Sequence, residues 1–336
     1  VSTQASFPWP HGMATGVGSM PGTDARESAR TVVESLELLP HLPELPARGP
    51  GADMIGRSLG LLAELYAHVE PSGWRFSDRP GRDSRRADSW LGEDLDALEE
   101  FTQGYTGLLK IQAVGPWTLA ASVERRSGEA ALGDPGARRD ITASLAEGLR
   151  LHAEDVRRRV PGARLVVQLD EPSLTSVLTG RVPTASGYRT HRAVDRSVVE
   201  GALRQVIGSV DAPFVVHSCA PSVPIALLRR SGAAAVSLDF GLLTERDDEV
   251  IGEAVEGGTL LFAGVVPSAE GPMSDPGGSV EGVRKLWRRL GLDPAALGRA
   301  VAITPTCGLA GASPARARAV LATSARAAKA LVDNPE

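Results

Sequence analysis

Short apolar runs alternate with amphipathic stretches along most of the chain. The runs are Ala14–Ser19, Leu108–Val114, Arg164–Leu169, Pro213–Val216, Ala234–Leu238, Thr259–Val265 and Ala300–Thr304. Most are nearly continuous in apolar residues rather than alternating, as expected of parallel strands covered on both faces. A further strand is needed before the helix that begins near Asp53, and Leu45–Arg48 is assigned to it. Between the runs lie helices. Asp134-Pro135 reads as N-cap and first-turn proline of a helix that runs to about Val160 and is stopped by Pro161-Gly162. Asp195 opens another, with Val198, Val199, Ala202, Leu203, Val206 and Ile207 on one apolar face. Ser313-Pro314 opens the last, which continues to about Val332, and Met54, Ile55, Leu59, Leu62, Leu65, Tyr66 and Val69 mark an earlier one. This alternation favours an α/β fold of the (β/α)8 TIM-barrel type over an open doubly wound sheet, with residues 1–336 as a single domain.

One segment breaks the rhythm. Pro71–Ser89 carries Arg75, Arg79, Arg82, Arg85 and Arg86 with Asp78, Asp83 and Asp88. It reads as a solvated charged loop or, alternatively, as a lid over the barrel mouth. No internal repeat interrupts the pattern.

Composition adds exclusions. A chain of 336 residues buries enough core to need no disulfide. Its hydrophobic share of 42% and charged share of 23% are those of an ordinary globular protein. A net charge of −5 gives no reason to expect nucleic acid or an anionic membrane as partner. Val1–Gly12 has neither the basic start nor the apolar run of a leader, and no stretch approaches the ~18 apolar residues of a membrane span. A cytoplasmic location is the expectation. No GxGxxG follows the first run and no GxxxxGK[ST] occurs, which weakens a nucleotide-binding reading.

The chemistry is expected where the strands of such a barrel end. His217-Ser218-Cys219 follows one strand and Asp239 the next. Pro305-Thr306-Cys307-Gly308 follows the last, Asp170-Glu171-Pro172 follows Arg164–Leu169, and Gly18-Ser19-Met20-Pro21 follows the first. Both cysteines of the chain and one of its six histidines thus fall on one rim. By spacing alone a buried cysteine is more often a small hydrophobe than a ligand. In a long chain of this composition metal binding or catalysis is the favoured reading of the two cysteines, and a disulfide between them stays open. One imidazole and two thiolates suit Zn²⁺, leave a position for substrate, and allow Asp239 to add an oxygen.

Five pieces of the chain, in order, resemble cobalamin-independent methionine synthase. They are Gly18-Ser19-Met20-Pro21, Val114-Gly115-Pro116-Trp117-Thr118, Gln168-Leu169-Asp170-Glu171-Pro172, Val216-His217-Ser218-Cys219 and Ile303-Thr304-Pro305-Thr306-Cys307-Gly308-Leu309. The last is the most specific. The resemblance is to the catalytic barrel of that family, without the additional N-terminal barrel of its full-length members. It implies a (β/α)8 barrel, a Zn²⁺ cofactor held by His217, Cys219, Asp239 and Cys307, and transfer of a methyl group to a zinc-activated thiol, homocysteine in the family. Asp170, His217, Cys219 and Cys307 are then the catalytic candidates. Asp170 would meet the substrate ammonium, and Gly18 and Ser19 its carboxylate. A thiol near pKa ~8.5 is mostly protonated at neutral pH, and zinc deprotonates it while leaving it nucleophilic.

The chain departs from that family in four ways. Folate is doubtful as donor without the N-terminal barrel, and a corrinoid or corrinoid protein becomes a candidate donor. The acidic ligand is Asp239 where the family has Glu, and one methylene less withdraws the carboxylate by about 1.5 Å. Where the family has a glutamate for the substrate ammonium, before the Asp53-Met54-Ile55 helix start, this chain offers Arg48, which would attract an acidic group. Where the family has a catalytic histidine, after Gly264-Val265-Val266, it continues Pro267-Ser268-Ala269. Two alternatives therefore stand beside the methyltransferase. One is a metal-free enzyme of the related uroporphyrinogen decarboxylase class. The other is a zinc-binding homologue that acts on a different thiol, or a non-catalytic homologue that only binds a ligand.

Overall fold

The computed structural model describes residues 9–336, so residues 1–8, and with them most of the Val1–Gly12 reading, lie outside the described residues. Six parallel strands form one sheet: β3 (Leu108–Val114), β5 (Arg164–Asp170), β6 (Phe214–Ser218), β7 (Ala235–Asp239), β8 (Leu260–Val266) and β9 (Val301–Pro305), paired in that order. A smaller sheet contains β1 (Tyr66–Glu70), β2 (Gly73–Ser77) and β4 (Val123–Glu124). The curled main sheet is that of an α/β barrel. Its wall continues through two irregular extended staves. Ala14 pairs with Ile303 of β9, Ser19 with Glu44, and His41 with Lys110 of β3. Backbone bonds carry the closure: Thr15 N–H to Ile303 O at 3.0 Å, Met20 N–H to Glu44 O at 2.8 Å, and Leu42 N–H to Lys110 O at 2.9 Å.

The second stave corrects the assignment of a strand to Leu45–Arg48. The pairing residues lie earlier, at His41 and Glu44, and Pro46–Arg48 is a 3-10 turn. Pro40, Pro43 and Pro46 carry no N–H, so this stave makes isolated bridges instead of a ladder. Two other expectations change. The helix at Met54 ends at Leu61, and Val69 belongs to β1. Glu64 has φ of 61° and breaks the helical path. Pro71–Ser89 is not a loop. It holds the turn of the β1–β2 hairpin, the whole of β2 and the start of the helix Arg82–Phe101.

Caps place the long helices. Asp134 accepts from Gly136 and Ala137 N–H at 2.7 and 3.0 Å, starting Pro135–Arg159, and Ser313 accepts from Arg316 N–H at 3.1 Å, starting Pro314–Asp333. The apolar residues separate into two cores. The larger lies between strands and helices. The smaller gathers Met13, Leu39, Leu108, Val166, Val215, Ala235, Leu260, Phe262 and Ala302, with Trp9 packed against it. These residues come from every stave of the wall, so this cluster is the floor of the barrel interior. The Trp9 ring meets Phe262 edge-on at 5.9 Å.

Candidate active site

Side chains two residues apart on a strand share a face. Counting up from the floor, Leu108 leads to Lys110 and Gln112, Val166 to Gln168 and Asp170, Val215 to His217, Ala235 to Ser237, and Ala302 to Thr304. All these polar residues are buried. The barrel interior therefore turns from apolar to polar within one step towards the C-terminal ends.

At the rim the structure brings the two cysteines together. Cys219, just past β6, and Cys307, just past β9, hold their sulfurs 3.6 Å apart. The Cys307 thiol is pushed down to about 4 by its hydrogen bond with Cys219 and by the His217 imidazole, and Cys219 is pushed up by the same pairing and by burial. His217 Nδ1 lies 2.9 Å from Ser237 Oγ, which leaves Nε2 for the cysteines or a metal. Two sulfurs on one tetrahedral zinc stand about 3.8 Å apart, so the spacing of this pair fits that ion. Nonetheless, among the described residues no three His, Cys, Asp or Glu side chains are grouped so that they could hold a metal ion. Asp239 in particular is engaged elsewhere. Its Oδ1 accepts from Gly241 N–H at 2.9 Å, capping a short turn.

Asp170 and Glu171 divide two tasks. Asp170 faces inwards, and its Oδ1 accepts from Gln168 Nε2 at 2.7 Å. Burial raises its pKa, against the pull of His217 and Lys110. Glu171 faces the next strand's loop. It accepts from Trp117 N–H at 2.9 Å, Thr118 N–H at 2.8 Å and Thr118 Oγ1 at 2.7 Å, capping the helix Pro116–Ser122. The first motif piece is tied to the last: Ser19 O accepts from Leu309 N–H at 2.9 Å, and a Cβ on Gly308 would lie 2.1 Å from Ser19 Oγ. Gly18 and Ser19 thus border the same mouth as Cys307.

Arg48 does not join them. Its guanidinium bonds Asp94 at 3.0 Å, Glu93 at 3.1 Å and the Thr23 carbonyl at 2.9 Å. Asp94 also pairs with Arg57. This corrects the reading of Arg48 as a substrate-binding residue, because a buried carboxylate on the helix Arg82–Phe101 already neutralises it. The acid missing from the Arg48 region is supplied instead by Glu44, at the end of the second stave. Glu44 is buried, feels Asp170 across the interior, and is raised to about 7, chiefly by burial, against the pull of Arg57, Gln112 and Lys110. Beneath these acids Lys110 donates to Val17 O at 2.8 Å and to Gln168 Oε1 at 2.7 Å. Burial lowers Lys110 to about 8 while Asp170 and Glu44 hold it up. Glu44, Lys110 and Gln112 went unassigned in the sequence. Lys110 and Gln112 did leave a signal, two polar residues at a spacing of two inside the otherwise apolar run Leu108–Val114.

Residues 106–330 match the family described as cobalamin-independent synthase, catalytic domain. The chain belongs to this family. Among solved structures it is similar to a B12-independent methionine synthase from Shewanella sp. W3-18-1, in complex with selenomethionine. The TM-score is 0.61 at 12% identity, covering 95% of this chain and 97% of that one. A putative dihydrodipicolinate synthetase from Pseudomonas aeruginosa aligns over 96% of this chain and 77% of its own, with a TM-score of 0.40 and 10% identity. No curated protein matches. The family is one of methionine synthase-like methyltransferases, and the first of these structures shares the barrel fold. No helix among the described residues is long and apolar enough to cross a membrane.

Proposed function

We propose that the chain methylates the thiol of homocysteine, with His217, Cys219 and Cys307 as the residues that hold zinc. The observation that carries this reading is the pair of cysteine sulfurs 3.6 Å apart, beside His217 and above two buried carboxylates. Zinc bound there would supply the charge that keeps an acceptor thiol deprotonated at neutral pH. Asp170 and Glu44 take the substrate ammonium, since two buried acids near one another gain most from a cation between them. The Gly18-Ser19 segment, adjoining Gly308, takes the carboxylate. Together they orient the sulfur towards the cysteines, and the polar interior below them is closed to bulk water by the floor. Family membership favours this reading over a decarboxylase.

Asp239 is placed behind the site rather than on the metal, because its Oδ1 accepts from Gly241 N–H and its side chain is one methylene shorter than the glutamate of the family. Ser268, where the family resemblance expected a histidine, is bonded through N–H and Oγ to Thr306 Oγ1, each at 3.2 Å. A serine hydroxyl does not titrate near neutral pH and so cannot stand in for an imidazole in proton transfer. The test is transfer of isotopically labelled methyl to homocysteine by zinc-loaded protein, run in parallel with methylcobalamin and methyltetrahydrofolate. Methionine formed from one donor is the expected result. No methionine from either, with homocysteine bound, would favour the binding-only homologue.

A further inference from the structure

Gln112 is a buried side chain with an unused acceptor beside these acids, and it has no role in the reading above. Its amide nitrogen is accounted for. Nε2 donates to Leu42 O at 2.5 Å. The Leu42 carbonyl can only accept, so a flipped amide would set oxygen against oxygen. The orientation is therefore fixed by this partner. What remains is Oε1, a buried carbonyl oxygen with no hydrogen-bond partner. A buried amide oxygen left unpaired costs stability unless something else supplies a donor.

We infer that Gln112 Oε1 is the third acceptor of the substrate ammonium, completing a set with Asp170 and Glu44. This rests on the acceptor reading proposed above. An α-ammonium carries three N–H donors, and a third acceptor lets each of them meet a separate group. Gln112 is placed for the task by its neighbours. It stands one step above Lys110 on the inner face of β3, and its Cα pairs with that of Gln168, whose amide holds Asp170. A Cβ on Gly18 would lie 3.2 Å from the Gln112 side chain. Gln112 therefore lies between the segment read as meeting the carboxylate and the acid read as meeting the ammonium, as two groups attached to one carbon require. A neutral acceptor also suits the charge balance. Asp170 and Glu44 already face Lys110 and, for Glu44, Arg57. A third carboxylate in place of Gln112 would leave an excess charge buried.

The test compares homocysteine with 4-mercaptobutyrate, the same thiol acid without the amino group, by calorimetric titration of the purified protein of measured zinc content. In Gln112→Met, which keeps the length and loses the acceptor, homocysteine should bind about tenfold more weakly and 4-mercaptobutyrate within about twofold of wild type. A purely structural role would weaken both alike, and an unchanged ratio of the two affinities overturns the assignment. If wild type binds neither thiol, the acceptor reading falls and takes Gln112 with it. If wild type binds both and only the ratio fails to move, Gln112 alone falls. Should Gln112→Met not fold, wild type still decides. N-methylhomocysteine has one N–H fewer and should bind about tenfold more weakly than homocysteine, whereas equal binding removes the need for a third acceptor.

Discussion

Two levels of the same barrel interior make opposite use of burial. The floor and the layer above it are built by the same strands, one step of two residues apart, and both are closed to solvent. On the floor, Leu108, Val166, Val215, Phe262 and Ala302 need only volume and contact, and removing them from water stabilises the barrel directly. One step up, Lys110, Gln168, His217, Ser237 and Thr304 each carry a desolvation cost that only a partner offsets. Most have one within the chain: Lys110 uses two acceptors, Gln168 holds Asp170, and His217 meets Ser237. Thr304 Oγ1 and both ring nitrogens of His41 have no hydrogen-bond partner. The lower level is built for stability, and the upper one keeps polar groups without partners at the end of the barrel where the proposed site lies.

Substitutions at the two levels should therefore separate stability from activity. The largest effect is expected on the floor. Phe262→Ala removes a fully buried ring and its contact with Trp9 and should lower unfolding free energy by about 3–5 kcal/mol in a urea titration. The fraction still folded should keep its activity. A loss of activity without a loss of stability would erase the distinction between levels. Next comes Cys307→Ser, at the top. Methyl transfer should fall by about a hundredfold or more, with zinc content reduced and the melting temperature nearly unchanged. Full zinc retention would rule out the cysteine pair as the metal seat.

Glu44→Gln tests the cost of the upper level. Burial, opposed by Arg57, Lys110 and Gln112 and reinforced by Asp170, takes this carboxyl from 4.5 to about 7. A carboxyl whose folded pKa is raised binds its proton more tightly in the folded state. Its contribution is fully present below pH ~4.5 and is lost as pH rises through ~7. Glu44→Gln should therefore stabilise the protein at pH 8, by roughly 3 kcal/mol, and have little effect at pH 4.5. Equal shifts at both pH values would show that Glu44 is not protonated on folding. The smallest effect is expected for Asp170→Asn, which should lower kcat/KM for homocysteine by about tenfold and leave the cysteine pair and the zinc content as they are. Unchanged kinetics would mean that the ammonium is held elsewhere.

The wall of the barrel shows where sequence reasoning ran out. Leu108–Val114 is found with the bounds its pattern suggests, and the other ladder strands shift by a residue or two at one or both ends. A strand buried on both faces leaves a run of apolar residues that no helix of that length would need. The second stave leaves no such run. Its prolines break the pattern and its pairing is set by neighbours far along the chain, so both its position and Glu44 were missed. Arg48 failed for a related reason. It lies close in sequence to the helix at Asp53, but its partner Asp94 lies 46 residues away. Pro71–Ser89 looked like a charged loop because its arginines and aspartates concealed a hairpin and a helix whose buried residues include Ala87, Leu95 and Leu98.

The sequence by itself determined the local matters: the alternation of strand and helix, the helix starts at Asp134 and Ser313, and the types of residue waiting at the strand ends. Each depends on neighbours within a turn or a strand, so each is written in a short stretch of chain. Only the tertiary structure decided which of those residues meet. It joined Cys219 to Cys307 across 88 positions, turned Arg48 to Asp94, gave Glu171 to a helix cap and Asp170 to the interior, and placed Glu44 beside Gln112. Closure of a ring of strands sets those encounters, and closure is a property of the whole wall rather than of any segment in it.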